Sequence, residues 1–329
     1  MIISRTPFRI SLVGGGTDFP KFFNKHEGKV IGFAIDKYCN IFFRPGNKLW
    51  DYNFRIVYSK IELTKRIQHI IHPSVRNTSL FYNYKKPYDL LHNGDLPAKT
   101  GLGTSSSFTV GMCKIFRTVL HRVDDPYLIA KDAINIEQNL IKESVGSQDQ
   151  IFASYGGFNT IKFSKNGFKV KKHDLKKEKI KQIKQNFLLM YTGQTRLAQK
   201  IEQNKIEKLR QKIDFYYKLT DLVDDMEKEI TRKIRFDIKT IGEILDYNWH
   251  LKKSLSKQVS NTFLDKIYKD AKSNGAFGGK LLGAGGGGFF LFIVPISKVS
   301  HFKKKFNSFK FIDFNISNIG SHIINSNNL

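Results

Sequence analysis

Three glycine clusters constrain this 329-residue chain more than any other feature. They are Gly14-Gly15-Gly16-Thr17-Asp18, the segment Pro97–Ser107 (PAKTGLGTSSS), and Lys280–Gly288 (KLLGAGGGG). Glycine adopts positive φ without penalty and lets the backbone approach a ligand closely. A run of amides that feeds a helix N-terminus suits an anion, because free N–H groups and the helix dipole both favour phosphate. The second cluster has that layout. It carries hydroxyls, and Phe108, Met112, Ile115 or Phe116, and Val119 follow it at helical spacing. No segment matches Gly-x4-Gly-Lys-Ser/Thr. Gly283-x-Gly285-x-x-Gly288 has dinucleotide-fingerprint spacing, but the strand-like FFLFIV follows where a helix is required. One such cluster alone is more often a turn than a site. Three in one chain point towards phosphate chemistry.

Patterning supplies the frame around these loops. Arg9–Val13 and Ile41–Arg44 read as strands, and residues 87–100 lead into the second cluster. A further helix should begin at Pro126, capped by Asp124 or Asp125, with Ile129, Ala133, Ile136 and Leu140 on its core face and Gly146 breaking it. FLLMY at 187–191 and GFFLFIV at 288–294 read as buried strands. Between them, residues 197–256 turn helical, with Ile206, Leu209, Ile213, Tyr216, Val223, Met226 and Ile230 at helix-like spacing. No internal repeat is present. The order predicts an α+β fold with two lobes, residues 1–180 and 181–329.

Composition narrows the partners. Hydrophobic residues make up 40%, enough for a sizeable core. The net charge of +26 would attract anions, whether nucleic acid, an acidic membrane or phosphorylated metabolites. The densest basic stretch, Lys165–Lys184, reads as a solvated loop and strand, and neither an RNA-recognition motif nor a zinc finger accompanies it. The longest apolar run, Phe289–Val294, is far short of the roughly 20 residues of a membrane span. Two cysteines, Cys39 and Cys113, fit a reducing compartment. The histidines show no His-Glu-x-x-His pattern. The expectation is a cytoplasmic protein that binds neither membrane nor nucleic acid, with its oligomeric state open and a homodimer one option.

At this point the residues resemble the GHMP kinase superfamily. Pro97–Ser107 looks like its Pro-x3-Gly-Leu-Gly-Ser-Ser phosphate loop, with Thr104 where serine is usual. Pro7-Phe8-Arg9 followed by Gly-Gly-Thr17-Asp18 resembles the signature of sugar-directed members. Gly283, Gly285 and Gly286 look like the third family motif, which supports the phosphate loop. Tyr191-Thr192-Gly193-x-x-Arg196-x-Ala198, Asn248-Trp249-x-x-Lys252-Lys253 and GGKLLGAGGGG resemble the D-glycero-D-manno-heptose 7-phosphate kinase group. The resemblance implies a two-lobed fold with the active site in the cleft. It also implies ATP-dependent phosphorylation of an anomeric hydroxyl, on a route to nucleotide-activated heptose for surface polysaccharide.

Residue roles follow from that resemblance. Lys99, Gly101, Leu102, Gly103, Thr104, Ser105 and Ser106 would hold the ATP phosphates. Ser105 and Glu137 would bind Mg²⁺, which needs only one or two protein ligands beside phosphates and waters. Asp149 would be the catalytic aspartate, as a base or as an anchor for the acceptor hydroxyl, with Arg9 as its cationic partner. Gly14, Gly15, Gly16, Thr17 and Asp18 would shape the sugar pocket, and Arg196, ahead of Lys99, would meet the 7-phosphate. Trp249 reads as a core anchor. Two alternatives stand beside this reading: a kinase for fucose or another free sugar, and a basic nucleic-acid-binding protein on a kinase-like fold.

Overall fold

The computed structural model describes residues 1–46, 49–194, 213–232, 234–256 and 258–325. Its elements are β1 (Ile2–Val13), α1 (Pro20–Phe23), β2 (Gly28–Pro45), β3 (Phe54–Val57), β4 (Ile61–Thr64), α2 (Pro73–Phe81), β5 (Tyr88–Gly94), α3 (Thr104–Val119), α4 (Pro126–Asn135), α5 (Gln148–Tyr155), β6 (Phe158–Ser164), β7 (Gly167–Lys172), α6 (Lys177–Asn186), β8 (Phe187–Tyr191), α7 (Ile213–Thr231), α8 (Ile238–Leu255), α9 (Thr262–Ser273), β9 (Gly278–Leu281), β10 (Phe289–Ile293), α10 (Ile296–Lys305), β11 (Lys310–Ile312) and β12 (His322–Asn325).

Two sheets organise them. The first runs β12-β1-β2-β5-β3-β4, with β6 and β7 branching from the other half of β2. β2 pairs with β5 along Cys39–Pro45 and with β6 along Gly28–Phe33, so one long strand serves two neighbours. β1 tolerates Pro7 because the pairing register with β2 shifts between Pro7 and Phe8. The second sheet runs β11-β8-β10-β9, all antiparallel.

The second sheet is buried on both faces, which is why its strands read as unbroken apolar runs. Along β10, Phe289, Leu291 and Ile293 join the main core, which also holds Ile10, Phe33 and Met112. Phe290 and Phe292, at the alternate positions, join a second core with Trp249, Tyr268 and Phe302. Trp249 is fully buried, as a core anchor should be.

Several expectations are refined. Among the described residues the helical stretch holds two helices, α7 and α8, the second capped by Asp237 through the amides of Lys239 and Thr240. Ile206 and Leu209 lie outside the described residues. Asp125, not Asp124, caps α4 by accepting from the Tyr127 amide. That helix continues as a π turn over Ile136–Leu140, so it ends before Gly146, and Leu140 is exposed. The last segment leaves the second sheet: β12 pairs with β1, so residues 181–329 are shared between both sheets.

Candidate active site

α3 carries the phosphate-type loop at its N-terminus. It is buried on nearly every side, and Gly111 lets it lie against β1, where a Cβ would meet Ser4 Oγ and Thr6 Oγ1 at 3.0 Å. The loop before it bends through Lys99 (φ 62°), Gly101 (φ 84°) and Gly103 (φ 73°). The first-turn amides of α3 have no intrahelical acceptor and face the cleft end. The third cluster locks this bend. A Cβ on Gly101 would lie 2.4 Å from the Leu282 carbonyl oxygen, and one on Gly283 would lie 2.4 Å from the Gly101 Cα. Gly285 and Gly286 pack against Val259 instead, with the Gly286 amide donating to its carbonyl at 2.8 Å. They brace the loop from behind.

Arg9 and Asp149 meet beside that bend. Arg9 Nε donates to Asp149 Oδ1 at 2.8 Å and its Nη2 to Oδ2 at 2.7 Å, a two-pronged pair. The third prong, Nη1, donates to the Gly101 carbonyl at 2.6 Å. A Cβ on Gly103 would sit 3.3 Å from Asp149 Oδ2. Arg9 is buried, whereas the Asp149 side chain keeps 24% of its exposure, so the carboxylate opens to the cleft and the guanidinium does not. Asp149 stands in the first turn of α5 without capping it.

The first glycine cluster divides its duties. Gly15, Gly16 and Asp18 line the cleft. Gly14 is pressed against the Lys29 carbonyl, and the Thr17 hydroxyl donates to the Gly14 and Lys29 carbonyls at 2.8 Å, so these two hold the turn. Asp18 accepts from the amides of Gly16 and Gln148 at 2.9 and 3.2 Å. Gly146 is required opposite it, since a Cβ there would fall 1.9 Å from Asp18 Oδ2.

Glu137 is buried, unlike a solvent-facing helix glutamate. Its Oε2 accepts from Ser106 Oγ at 2.9 Å and Gln150 Nε2 at 2.5 Å, while Oε1 has no hydrogen-bond partner. Burial pushes its carboxyl up to about 7. The serine against Glu137 is thus Ser106; Ser105, expected there, is exposed and lines the cleft. Among the described residues no group of three His, Cys, Asp or Glu gathers as a metal cage. An unpartnered buried carboxylate oxygen near cleft hydroxyls still fits Mg²⁺ held mainly by phosphates and waters.

These parts surround a cleft of ≈ 760 Å³ between the two sheets. Lys99 stands exposed at its lip, and Arg196 lies outside the described residues. Sequence reasoning missed one wall, Tyr58, His72, His92 and Phe108, where burial lowers the His72 imidazole to about 4 and keeps it neutral. It also gave no role to Lys252 and Lys280. Lys252 donates to the carbonyls of Leu281 and Gly283, and Lys280 to that of Leu12. The one available signal was Lys280's place at the head of the third cluster.

A glycine-bent loop on a buried helix, with a carboxylate–guanidinium pair at its turn beside a cleft, is an arrangement suited to phosphoryl transfer. The models of the GHMP kinase N-terminal and C-terminal domains match residues 63–157 and 226–309. The chain is 34% identical to D-glycero-alpha-D-manno-heptose 7-phosphate kinase of Campylobacter jejuni, over 90% of both chains. It is 26% identical to the bifunctional fucokinase/GDP-fucose pyrophosphorylase of Arabidopsis thaliana, over 87% of this chain and 29% of that one. In fold it matches a D-glycero-D-manno-heptose 1-phosphate kinase from Bacteroides thetaiotaomicron with a TM-score of 0.81, covering 99% of each at 21% identity. The chain belongs to the GHMP kinase family. It is an ATP-dependent sugar kinase. No described helix is long and apolar enough to cross a membrane.

Proposed function

We propose that the protein transfers the γ-phosphoryl group of ATP to the anomeric hydroxyl of D-glycero-D-manno-heptose 7-phosphate, giving the 1,7-bisphosphate. The observation that carries the chemistry is the Asp149 carboxylate, held by Arg9 against Gly103 and open to the cleft. The 34% relative carries the choice of sugar.

In this reading the backbone of Gly101–Ser106 cradles the ATP phosphates. Mg²⁺ would supply charge neutralisation on the phosphates, with Glu137 and the Ser106 hydroxyl that is bonded to Glu137 as the protein groups that would hold it. Asp149 accepts the hydrogen bond of the sugar hydroxyl and holds its oxygen in line with the γ-phosphorus. Arg9 sets the direction of that carboxylate through its two-pronged pair. Asp18 accepts hydrogen bonds from the sugar ring hydroxyls, next to Gly15 and Gly16.

ADP release with Mg²⁺-ATP tests this. The heptose 7-phosphate is compared with free heptose, mannose, fucose and galactose. Turnover confined to the phosphorylated heptose is expected. Efficient turnover of fucose would overturn the substrate and favour the second reading, which the plant fucokinase relative supports. Salt-sensitive RNA binding without turnover of any sugar would overturn both.

A further inference from the structure

We propose that Ser11 and Gln148 wall a notch over Gly15 that seats a ring hydroxyl of the acceptor sugar and so helps select the sugar. The inference rests on the reading that a sugar lies against Asp149. The notch comes from a glycine that the backbone does not need. Gly14 and Gly16 have φ of 88° and 111°, whereas Gly15 has no positive φ. A Cβ on Gly15 would meet no main chain across the notch. Among the described residues its neighbours within 4 Å are two side-chain tips, Gln148 Nε2 at 3.3 Å and Ser11 Oγ at 3.6 Å. An alanine would fit the fold and fill that space. The missing side chain is therefore room left in the cleft, which Gly15, Ser11 and Gln148 all line.

Both walls are polar and unsatisfied. Ser11 is 5% and Gln148 9% exposed, yet among the described residues Ser11 Oγ and Gln148 Oε1 form no hydrogen bond. Buried polar atoms are normally satisfied, so each calls for a ligand. The backbone of both residues is already engaged. Ser11 pairs with Gly32 between β1 and β2, and the Gln148 amide donates to Asp18 Oδ2 at 3.2 Å. Only the side-chain tips are left over, and their chemistry names the ligand. The serine hydroxyl donates and accepts, while the carboxamide brings an acceptor oxygen and a donor nitrogen. A neutral hydroxyl gives one hydrogen and takes others, so it can satisfy both walls. A phosphate offers Oε1 mainly acceptor oxygens and fits worse.

The notch adjoins the reacting end of the cleft. Gln148 precedes Asp149 in the first turn of α5. Ser11 stands two residues beyond Arg9 on the same face of β1, about 7 Å along the strand. A sugar whose reacting hydroxyl meets Asp149 therefore brings its ring towards Gly15.

The test measures kcat and KM for heptose 7-phosphate and its monodeoxy forms in the wild type, Gly15→Ala, Ser11→Ala and Gln148→Met. G15A fills the notch, so KM for the sugar should rise about 10–100-fold with KM for ATP unchanged. S11A and Q148M should each lose about 3–10-fold in kcat/KM on the parent sugar. On the deoxy sugar that lacks the seated hydroxyl this loss should vanish, because the partner is already gone. Both variants remove unpartnered buried atoms, so neither should unfold at lower denaturant than the wild type. Losses that are the same on the parent and every deoxy form would overturn the proposal, as would a G15A enzyme with unchanged KM for the sugar. If one variant fails to fold, the other two decide on the same criteria. A wild type that turns over fucose instead would overturn the heptose reading alone. Deoxyfucoses would then decide the notch by the same comparison.

Discussion

A single carboxylate decides the chemistry proposed at this cleft. Asp149→Asn keeps the shape beside Gly103 but removes the charge that receives the hydroxyl proton or aligns the oxygen. Its kcat should fall about 10²–10⁴-fold with little change in KM for ATP, read by steady-state ADP release. Near-normal kcat would remove Asp149 from the mechanism. Glu137 makes a different prediction, through stability. Its carboxyl titrates at about 7 in the fold against an ordinary value of 4.5, because burial disfavours the ion. The folded state therefore binds the extra proton between those values. The associated stability is complete below pH 4.5 and is lost as the pH rises through 7. Glu137→Gln has no charge to bury. In metal-free buffer it should match the wild type near pH 4.5 and exceed it by up to about 3 kcal/mol at pH 8. Parallel unfolding curves at both pH values would refute this.

At the scale of elements, the interlock of the second and third glycine clusters holds the α3 loop in shape. Gly101→Ala places a Cβ 2.4 Å from the Leu282 carbonyl oxygen at φ 84°. Gly193 has a similar φ of 75° and, among the described residues, nothing within 4 Å of a Cβ, so Gly193→Ala isolates the backbone cost. Chemical denaturation should show a loss of about 1–2 kcal/mol for G193A and about 2–4 kcal/mol for G101A, with activity falling steeply only in G101A. Equal losses would mean that the interlock adds nothing. Much of this scaffold was legible in the sequence. The spacing of Phe108, Met112 and Phe116 marks α3, the apolar run FLLMY marks β8, and the glycines before Thr104 mark the bend. What was not legible depends on long-range placement. No local pattern shows that Ser106 and not Ser105 turns inward to Glu137, since both are hydroxyls in one helical turn. Nor does it show that Lys280 reaches across to β1, a contact spanning 268 positions. Glu137 itself was picked out by resemblance, because the π turn that buries it has no simple periodic signature.

The whole molecule behaves as one body if its tail is what joins the sheets. After β11 the chain returns over the first sheet: Ser317 donates its amide to the Ala34 carbonyl, Ser321 to that of Ala153, and β12 pairs Ile2–Arg5 with residues 322–325. The main core also runs unbroken from Ile10 and Phe33 to Leu189 and Leu291 in the second sheet. Deleting residues 321–329 strips the edge of β1, the strand that carries Arg9. With four paired residues lost, the cost should be about 2–5 kcal/mol. Trp249 lies in the second core, which β12 does not join, so it reports on the far side of the molecule. In a Trp50→Phe background it is the only tryptophan. If the lobes fold cooperatively, its fluorescence transition should shift to lower denaturant together with the far-UV circular dichroism. A Trp249 transition that stays in place while the circular dichroism shifts would mean that the lobes unfold separately. In that case the geometry between Asp149 on one side and Lys280 on the other would be free to vary, and the cleft would have to be assembled by its substrates.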